Sequence, residues 1–570
     1  MLTKVRRLTG VNFMMDRCGA AAEAEIDDTS KVLVLSIWRQ QMRALLDDLG
    51  WQAEDIAIRS YDGGATLMIS APRDALYAAA SMIEQVWADV CAVIAGQQPE
   101  DPVCADAIST MIARQSNPAE VALEAAANSR GVTYLGNDQL VSVGLGRGSK
   151  TWQADQIPST DDIDWNTVHD VPIAMVTGTN GKSTTVRLAA AIGKAAGRTV
   201  GLSSSDWVRV GDEIVDEGDY SGPAGARLAV RDTRVDMAVI ETARGGLMRR
   251  GMPVPSADAC LITNVAADHL GEYGINDVRA LADAKFLLAK AVKPQGRLIL
   301  NGDDQELVER GVRFDGKITW YGLNFDDGLL ERWMESGGHA AFIANGHMML
   351  ACDGTRSRIM PVADFAPGMG GAARYNLSNA LAAIALASAL DLPVEAMTRG
   401  LSGFKGTPEE NPGRGNIIEV GGLTLMIDFA HNTHGVAAVV DAIKTLPAKR
   451  RLFLAGHAGD RSDHDVRELT RAIWQGEPDM VVVKELPDKL RGRTLGELSE
   501  IFVDELKQLG ASQDQMQLAT NEYDAVHKAL TWARPGDFLV LLLHDKREPT
   551  MNLLQKLTDT GWQAGEALPA

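Results

Sequence analysis

The sequence predicts an α/β protein of three domains. These are an α+β N-terminal domain over residues 1–165, a central domain over 166–412 with a parallel sheet and a phosphate-binding loop, and a C-terminal Rossmann-like α/β domain over 413–570. Three observations carry that prediction. The chain has 570 residues, too many for one hydrophobic core. From about residue 171 onward, short apolar runs alternate with helical stretches, the pattern of a parallel sheet covered on both faces. The first of those runs is followed at once by a glycine-rich turn that opens a helix.

Residues 1–165 mix helical stretches with strand-like runs. Leu76–Ile94 is the clearest helix, and Lys31–Ile37 reads as a strand. The polar segment Ser159–Asp170 reads as a linker. In the middle block the strands are Ile173–Thr177, Met237–Glu241, Cys260–Thr263 and Arg297–Leu300, each apolar and followed by a glycine, polar or acidic residue. In such sheets ligands gather at the carboxyl ends of the strands. The third block opens near Arg414, with strands Leu425–Asp428, Leu452–Ala455, Met480–Lys484 and Phe538–Leu543.

Composition narrows the function. Hydrophobic residues make up 45% and charged residues 23%, ordinary for a soluble globular chain. A net charge of -20 repels phosphate backbones and argues against a nucleic-acid partner. Any nucleotide must then be held by a local cationic and metal-lined site. The five cysteines, Cys18, Cys91, Cys104, Cys260 and Cys352, form no CxxC pair, so neither a disulfide framework nor a structural zinc site is expected, and a reducing cytoplasm fits. No apolar run has the length of a signal peptide or a membrane span.

Val176-Thr177-Gly178-Thr179-Asn180-Gly181-Lys182-Ser183-Thr184-Thr185 lies between a strand and a helix. Gly178 and Gly181 let backbone N–H groups approach phosphate oxygens, the helix N-terminus adds positive potential, Lys182 adds a full charge, and Ser183 can ligate Mg²⁺. The general phosphate-loop pattern has Gly where this chain has Val176. Glu241, at the end of a strand in Val239-Ile240-Glu241-Thr242-Ala243-Arg244, is placed to hold Mg²⁺ directly or through water. His269, in Thr263-Asn264-Val265-Ala266-Ala267-Asp268-His269, can ligate a second divalent ion.

The form Thr177-Gly178-Thr179-Asn180-Gly181-Lys182-Ser183 resembles the Mur ligase family, a superfamily that also takes in folylpolyglutamate synthases and the C-terminal half of cyanophycin synthetases. The resemblance covers roughly residues 171 to 550. It implies ATP and Mg²⁺ as cofactors, with Thr179, Asn180, Gly181, Lys182, Ser183 and Thr184 in the phosphate loop. It makes Glu241 and His269 metal ligands and Asn264 a nucleotide contact. Lys285, in Ala282-Asp283-Ala284-Lys285, stands where many members carry a carbamylated lysine whose added carboxylate helps to hold Mg²⁺. A lysine reacts with CO₂ only when neutral, so its surroundings must depress its pKa. Asn301, in Leu300-Asn301-Gly302-Asp303-Asp304, matches the family's adenine-side segment. Tyr375-Asn376-Leu377-Ser378-Asn379 matches its HNxxN helix start, with Tyr375 in place of the usual His. Asp428-Phe429-Ala430-His431-Asn432 resembles the DYAHNP motif. Arg414 can then stack on adenine or reach phosphate, Asp428 can accept from ribose, and His431 can reach the γ-phosphate once the C-terminal domain closes.

Gly218-Asp219-Tyr220-Ser221-Gly222-Pro223, Glu241 to Gly251, Gly456 to Arg461 and Lys484 to Arg493 resemble the cyanophycin synthetase branch, and Arg249, Arg250, Arg491 and Arg493 are candidates for binding substrate carboxylates. That branch carries an ATP-grasp domain before its Mur-like half. Here only Gly148 to Pro172 separate the N-terminal block from the phosphate-loop strand, so no complete ATP-grasp fold is expected. The implied activity is ATP-dependent, ADP-forming ligation of a carboxylate to an amino-acid amine through an acyl phosphate, with an amino acid, dipeptide or peptide polymer as substrate. A partner ligase and a homo-oligomer are compatible with the sequence. A silent nucleotide-binding scaffold, a phosphate-loop kinase and a peptidoglycan-type ligase are the rival readings. Glu241, His269 and Lys285 beside the loop argue against the scaffold, and the lack of a recognisable UDP-binding glycine loop argues against the peptidoglycan-type enzyme.

Overall fold

Strand pleating organises the first unit. The computed structural model describes residues 1–99, 102–324, 327–545 and 547–569. A four-stranded antiparallel sheet, ordered Leu2–Leu8, Gly19–Glu25, Gly64–Ser70, Ile56–Tyr61, packs against helices Lys31–Asp48 and Leu76–Ile94. Ala20, Ala22, Ala24, Leu67 and Ile69 meet Trp38, Met42, Met82 and Val86 in one core. The opposite pleat carries Ala21, Met68 and the buried ion pair Arg6–Glu23.

The expected helix Leu76–Ile94 has those bounds. Lys31–Ile37 is a correction: it is the start of helix Lys31–Asp48, not a strand. Val32 and Leu33 imitate a buried run, yet both are exposed. Trp38, Met42, Leu45 and Leu46 recur at helical spacing and are buried, so the longer period decides the element. Ser159–Asp170 contains two short 3₁₀ turns, and its Ile163 and Val168 are buried with Leu123, Tyr134 and Val141.

The central sheet has eleven strands. Its parallel part is ordered Val200–Ser203, Met237–Glu241, Ile173–Thr177, Ala257–Ile262, Val292–Asn301, Ile318–Gly322, His339–Ala344. Antiparallel pairs extend both edges, Trp207–Val210 with Glu213–Glu217 and His347–Cys352 with Thr355–Pro361. Helices cover both faces, which is why the parallel strands read as unbroken apolar runs. Val186, Leu188 and Leu381 pack with Val176 and Val239 on one side; Ala226, Ala229 and Leu247 pack with Met175 and Ile240 on the other.

The C-terminal sheet is ordered Arg414–Val420, Leu423–Asp428, Phe538–Leu542, Arg451–Ala455, Met480–Lys484, Met516–Ala519, parallel except for the first strand. No described helix is long and apolar enough to cross a membrane.

Candidate active site

Ile173–Thr177 lies between Met237–Glu241 and Ala257–Ile262, so the turn leaving it opens inside the sheet's carboxyl edge. Gly178 and Gly181 adopt φ of 145° and 85°, which glycine alone tolerates cheaply. Space makes the same demand: a Cβ at Gly178 would lie 1.8 Å from Thr263 Oγ1, and one at Gly181 2.2 Å from Asn379 Oδ1. The neighbouring strand end pins the turn. Asn180 N donates to Asn264 Oδ1 at 2.9 Å, while Asn264 Nδ2 and Thr263 Oγ1 donate to Asn180 O at 3.0 and 2.6 Å. Thr179 Oγ1 donates to Ala266 O and accepts from Ala266 N. Asn301 Nδ2 and Tyr321 OH both brace Thr263 O, at 3.0 and 2.8 Å. Lys182 folds its ammonium onto Gly178 O and Thr179 O at 3.1 and 2.9 Å, holding a full charge over the loop.

One cluster forms beyond Ser183. Its hydroxyl lies 3.1 Å from Ser205 Oγ, and Ser205 N donates to Glu241 Oε2 at 3.3 Å. Arg414 reaches in from the C-terminal sheet: Nη2 donates to Ser205 Oγ at 3.2 Å, and the guanidinium lies 4.7 Å from the Phe429 ring centre. Asn411 Nδ2 donates to Thr184 Oγ1 at 3.3 Å. Asp428 pairs across the strands with Arg414. Burial pushes its carboxyl up, with Arg414 pulling the other way. Next to Ser205, Asp206 binds the buried Arg187 at 2.5 Å and also Arg547 of the C-terminal unit. Burial opposes its ionisation, but Arg187, Arg414 and Arg547 hold the carboxyl below the usual range.

A second cluster surrounds His269, a non-glycine residue at φ 49°. Arg461 Nη2 lies 3.0 Å from His269 Nε2 and 2.8 Å from Asp268 Oδ1. A guanidinium only donates, so Nε2 accepts and the ring proton sits on Nδ1, which faces Asp460 Oδ2 at 3.7 Å. Burial lowers the His269 pKa and favours this neutral ring. His431, from the C-terminal unit, donates from Nδ1 to Phe429 O at 3.0 Å and brings Nε2 to 3.7 Å from Asp268 Oδ2. Burial disfavours the Asp268 charge, yet His431, His269 and Arg461 keep the carboxyl well below the carboxylate range. Asp268, His269 and His431 each offer a ligand atom, all within 4.8 Å of one another, and no other such cluster occurs among the described residues. Two imidazole nitrogens and a carboxylate can hold a divalent cation there, and the Glu241 carboxylate and Ser183 hydroxyl on the other flank of the loop are oxygen donors that suit a hard one.

Lys285 is 4% exposed. Burial, then the charge of Lys182, pushes its amine well below an ordinary lysine. The amine makes no hydrogen bond or ion pair among the described residues. The His269 loop is braced from the N-terminal sheet by Arg59, which donates to Tyr273 O and Gly274 O, while Arg6, paired with Glu23 at 2.6 Å, donates from Nε to Met248 O of helix Arg244–Arg250 at 2.8 Å.

Against known families, the chain matches the Mur ligase middle domain over residues 176–387 and the Mur ligase glutamate ligase domain over 413–542. It belongs to the Mur ligase family. Cyanophycin synthetase of Nostoc sp. (strain PCC 7120 / SAG 25.82 / UTEX 2576) is 33% identical over 388 residues, 68% of this chain and 42% of that protein. The Synechocystis sp. (strain ATCC 27184 / PCC 6803 / Kazusa) protein of the same name is 36% identical over 333 residues, 58% of this chain and 38% of its own length. This Mur ligase therefore spans less than half the length of those relatives. E. coli FolC in complex with DHPP and ADP shares the fold, with a TM-score of 0.50 at 19% identity over 68% of this chain and 89% of that one.

Within this Mur ligase the motif residues divide between the two clusters. Thr179, Asn180, Gly181, Lys182, Asn264 and Asn301 build the loop and its brace. Ser183, Thr184, Glu241, Arg414 and Asp428 gather on one flank. His269 and His431 meet on the other, with Lys285 buried nearby under the charges of Lys182 and Asp268. Sequence reading did not single out Asp268 or Arg461, although both stand inside motifs it quoted. Asp206, Ser205 and Arg547 gave no signal at all, because their role depends on contacts 209 and 341 residues apart. Arg491 pairs with Asp460, and Arg493 donates to Gly459 O and Arg461 O, so both brace the turn that carries Arg461.

Proposed function

We propose that this Mur ligase uses ATP and Mg²⁺ to phosphorylate a carboxylate of an acidic amino acid, dipeptide or peptide-polymer end, and that an amino-acid amine then attacks the acyl phosphate. The γ-phosphoryl group passes from ATP to a carboxylate oxygen, and ADP leaves. The amine nitrogen then adds to the acyl carbon, inorganic phosphate leaves, and an amide bond remains. The observation that carries this reading is the convergence of the Lys182 loop with Asp268, His269 and Arg461 on one side and Ser183, Glu241 and Arg414 on the other. Lys182, Arg414 and Arg461 supply positive charge where phosphoryl oxygens gain negative charge. Ser183 and Glu241 would hold one Mg²⁺ and His269, with a carbamylated Lys285, a second divalent ion, and the two would neutralise the transferring phosphates. The buried, depressed amine of Lys285 supports the carbamate, since only a neutral amine adds to CO₂. Thr179, Asn180, Gly181 and Thr184 would cradle phosphate, Asn264 and Asn301 hold that cradle, and Asp428 and His431 contact the nucleotide from the closing unit.

A single phosphate loop supports one kind of ligation, in keeping with the Mur-like half of cyanophycin synthetases rather than with the whole proteins. The test is a screen of amino-acid and dipeptide pairs for phosphate release, with mass spectrometry of the products. An amide product with ADP and free phosphate is expected. A phosphorylated product would instead make the protein a kinase, and no turnover with any pair would favour a scaffold. Long alternating polymer made by the enzyme alone from free amino acids and a primer would refute the single-reaction reading.

A further inference from the structure

A cavity of about 170 Å³ opens on the flank of the phosphate-loop helix, reached by Arg187, Arg198, Trp207 and Arg209. Ala191, Leu202 and Phe404 give it an apolar wall. Three buried donors at its lining residues have no hydrogen-bond partner: Arg187 Nε, Trp207 Nε1 and Arg209 Nε. Arg187 is only 4% exposed, so bulk water does not serve it. All three atoms are closed off from the cavity itself, so what these arginines offer to its space is their cationic charge.

The acidic groups of the lining do not supply one. Glu410 accepts the backbone N–H groups of Lys405 and Gly406 at 2.8 and 2.9 Å. Asp212 pairs with Lys194 at 2.6 Å and lies 3.7 Å from Arg209 Nη2. The Arg198 guanidinium makes no hydrogen bond or ion pair among the described residues. The cavity thus joins an apolar wall to an excess of cationic charge, in a chain whose net charge is -20.

We propose that this cavity is a second ligand site, separate from the phosphate loop, that takes a small organic anion: a carboxylate or phosphate head on an apolar body, on the order of ten heavy atoms in all. The head pairs with the Arg198 and Arg209 guanidinium groups, and the body lies against Trp207 and Phe404. The site is wired to domain closure. The same Arg187 guanidinium holds Asp206 at 2.5 Å and donates to Asn411 Oδ1 at 2.9 Å. Asp206 in turn binds Arg547, and Asn411 donates to Thr184 of the phosphate loop. An anion seated beside the Arg187 guanidinium acts on that link through its charge, so it and the nucleotide must change each other's affinity by the same factor.

The test uses 3-phenylpropionate and phenyl phosphate as probes, two heads on similar bodies, titrated calorimetrically into the full chain with the phosphate loop saturated by ADP and Mg²⁺. Saturable binding of at least one probe is expected below about 10 mM, weakened about tenfold or more in Arg198→Ala/Arg209→Leu. Binding should survive in Lys182→Ala without nucleotide. No saturable binding of either probe, or equal binding in the double variant, would overturn the site and leave the cavity to water. The coupling arm rests on the nucleotide reading of the loop, whereas the binding arm does not. The bound probe should change ADP affinity about threefold or more in the wild type and not in the double variant; an ADP affinity indifferent to the probe overturns the coupling.

Discussion

Asp206→Ala should loosen the phosphate-loop helix by about 3–5 kcal/mol. The carboxylate is shared between Arg187 and Arg547, and the two contacts differ in weight. The Arg187 and Asp206 side chains are 3% and 7% exposed, so removing one partner leaves an uncompensated buried charge, which costs about 3–5 kcal/mol. Arg547 is 26% exposed, and its half of the bridge contributes about 0–1 kcal/mol to stability. What the Arg547 contact supplies is a link between the C-terminal unit and the central one. A chain of several domains does not unfold in one step, so the measurement is local: native-state hydrogen exchange of helix Lys182–Ala195, together with ADP affinity. Asp206→Ala should lower the opening free energy of that helix and weaken ADP. Arg187→Met/Asp206→Ala replaces the buried pair by apolar volume and should restore most of the protection without restoring ADP affinity. Because the Asp206 carboxyl is held below the usual range, its contribution is present at neutral pH and lost only as the pH falls through that lowered pKa, so these differences should be constant from about pH 6 to 8. Protection unchanged within about 1 kcal/mol in Asp206→Ala, or no recovery in the double variant, would refute the reasoning.

Lys182→Ala should fold normally and lose about 10²-fold or more in turnover, checked by phosphate release against circular dichroism. Glu241→Ala and His269→Ala should each raise the Mg²⁺ concentration needed for half-maximal rate; a metal titration unchanged in both removes them from the coordination shell. Lys285→Ala should be inactive and partly rescued by short carboxylates, and a crystal structure of active enzyme with an unmodified Lys285 would count against the carbamate. His457 is pushed down to about 4 by burial, aided by Arg461 and His431. As a histidine buried neutral, it contributes stability that is complete above about pH 6.5 and lost as the pH falls toward 4, up to about 3 kcal/mol. Melting temperature followed from pH 7.5 to 5 should therefore fall more steeply in wild type than in His457→Gln.

The local pattern of the chain determined the strands that carry the site. Ile173–Thr177, Met237–Glu241 and Met480–Lys484 have the bounds that the apolar runs imply, because a strand buried on both faces needs an unbroken apolar run and ends where the first glycine or charge appears. The loop residues Gly178 and Gly181 were legible for the same reason: backbone conformation and close approach leave no other residue type. Lys31–Ile37 was misread because four consecutive apolar residues look alike in a strand and a helix, and only the spacing of Trp38, Met42 and Leu46 separates them. The family resemblance named Glu241, His269, Lys285, Arg414 and His431, but not which of them meet. That was decided by the fold. His269 and His431 are far apart in the chain, and they share Asp268 because the C-terminal sheet closes over the carboxyl edge of the central one. Arg461 comes to His269 by the same closure, and Asp206, bound to Arg187, meets Arg547 across 341 residues. Pairings of this kind carry no periodicity, since a charge reports its partner only once the chain between them has folded.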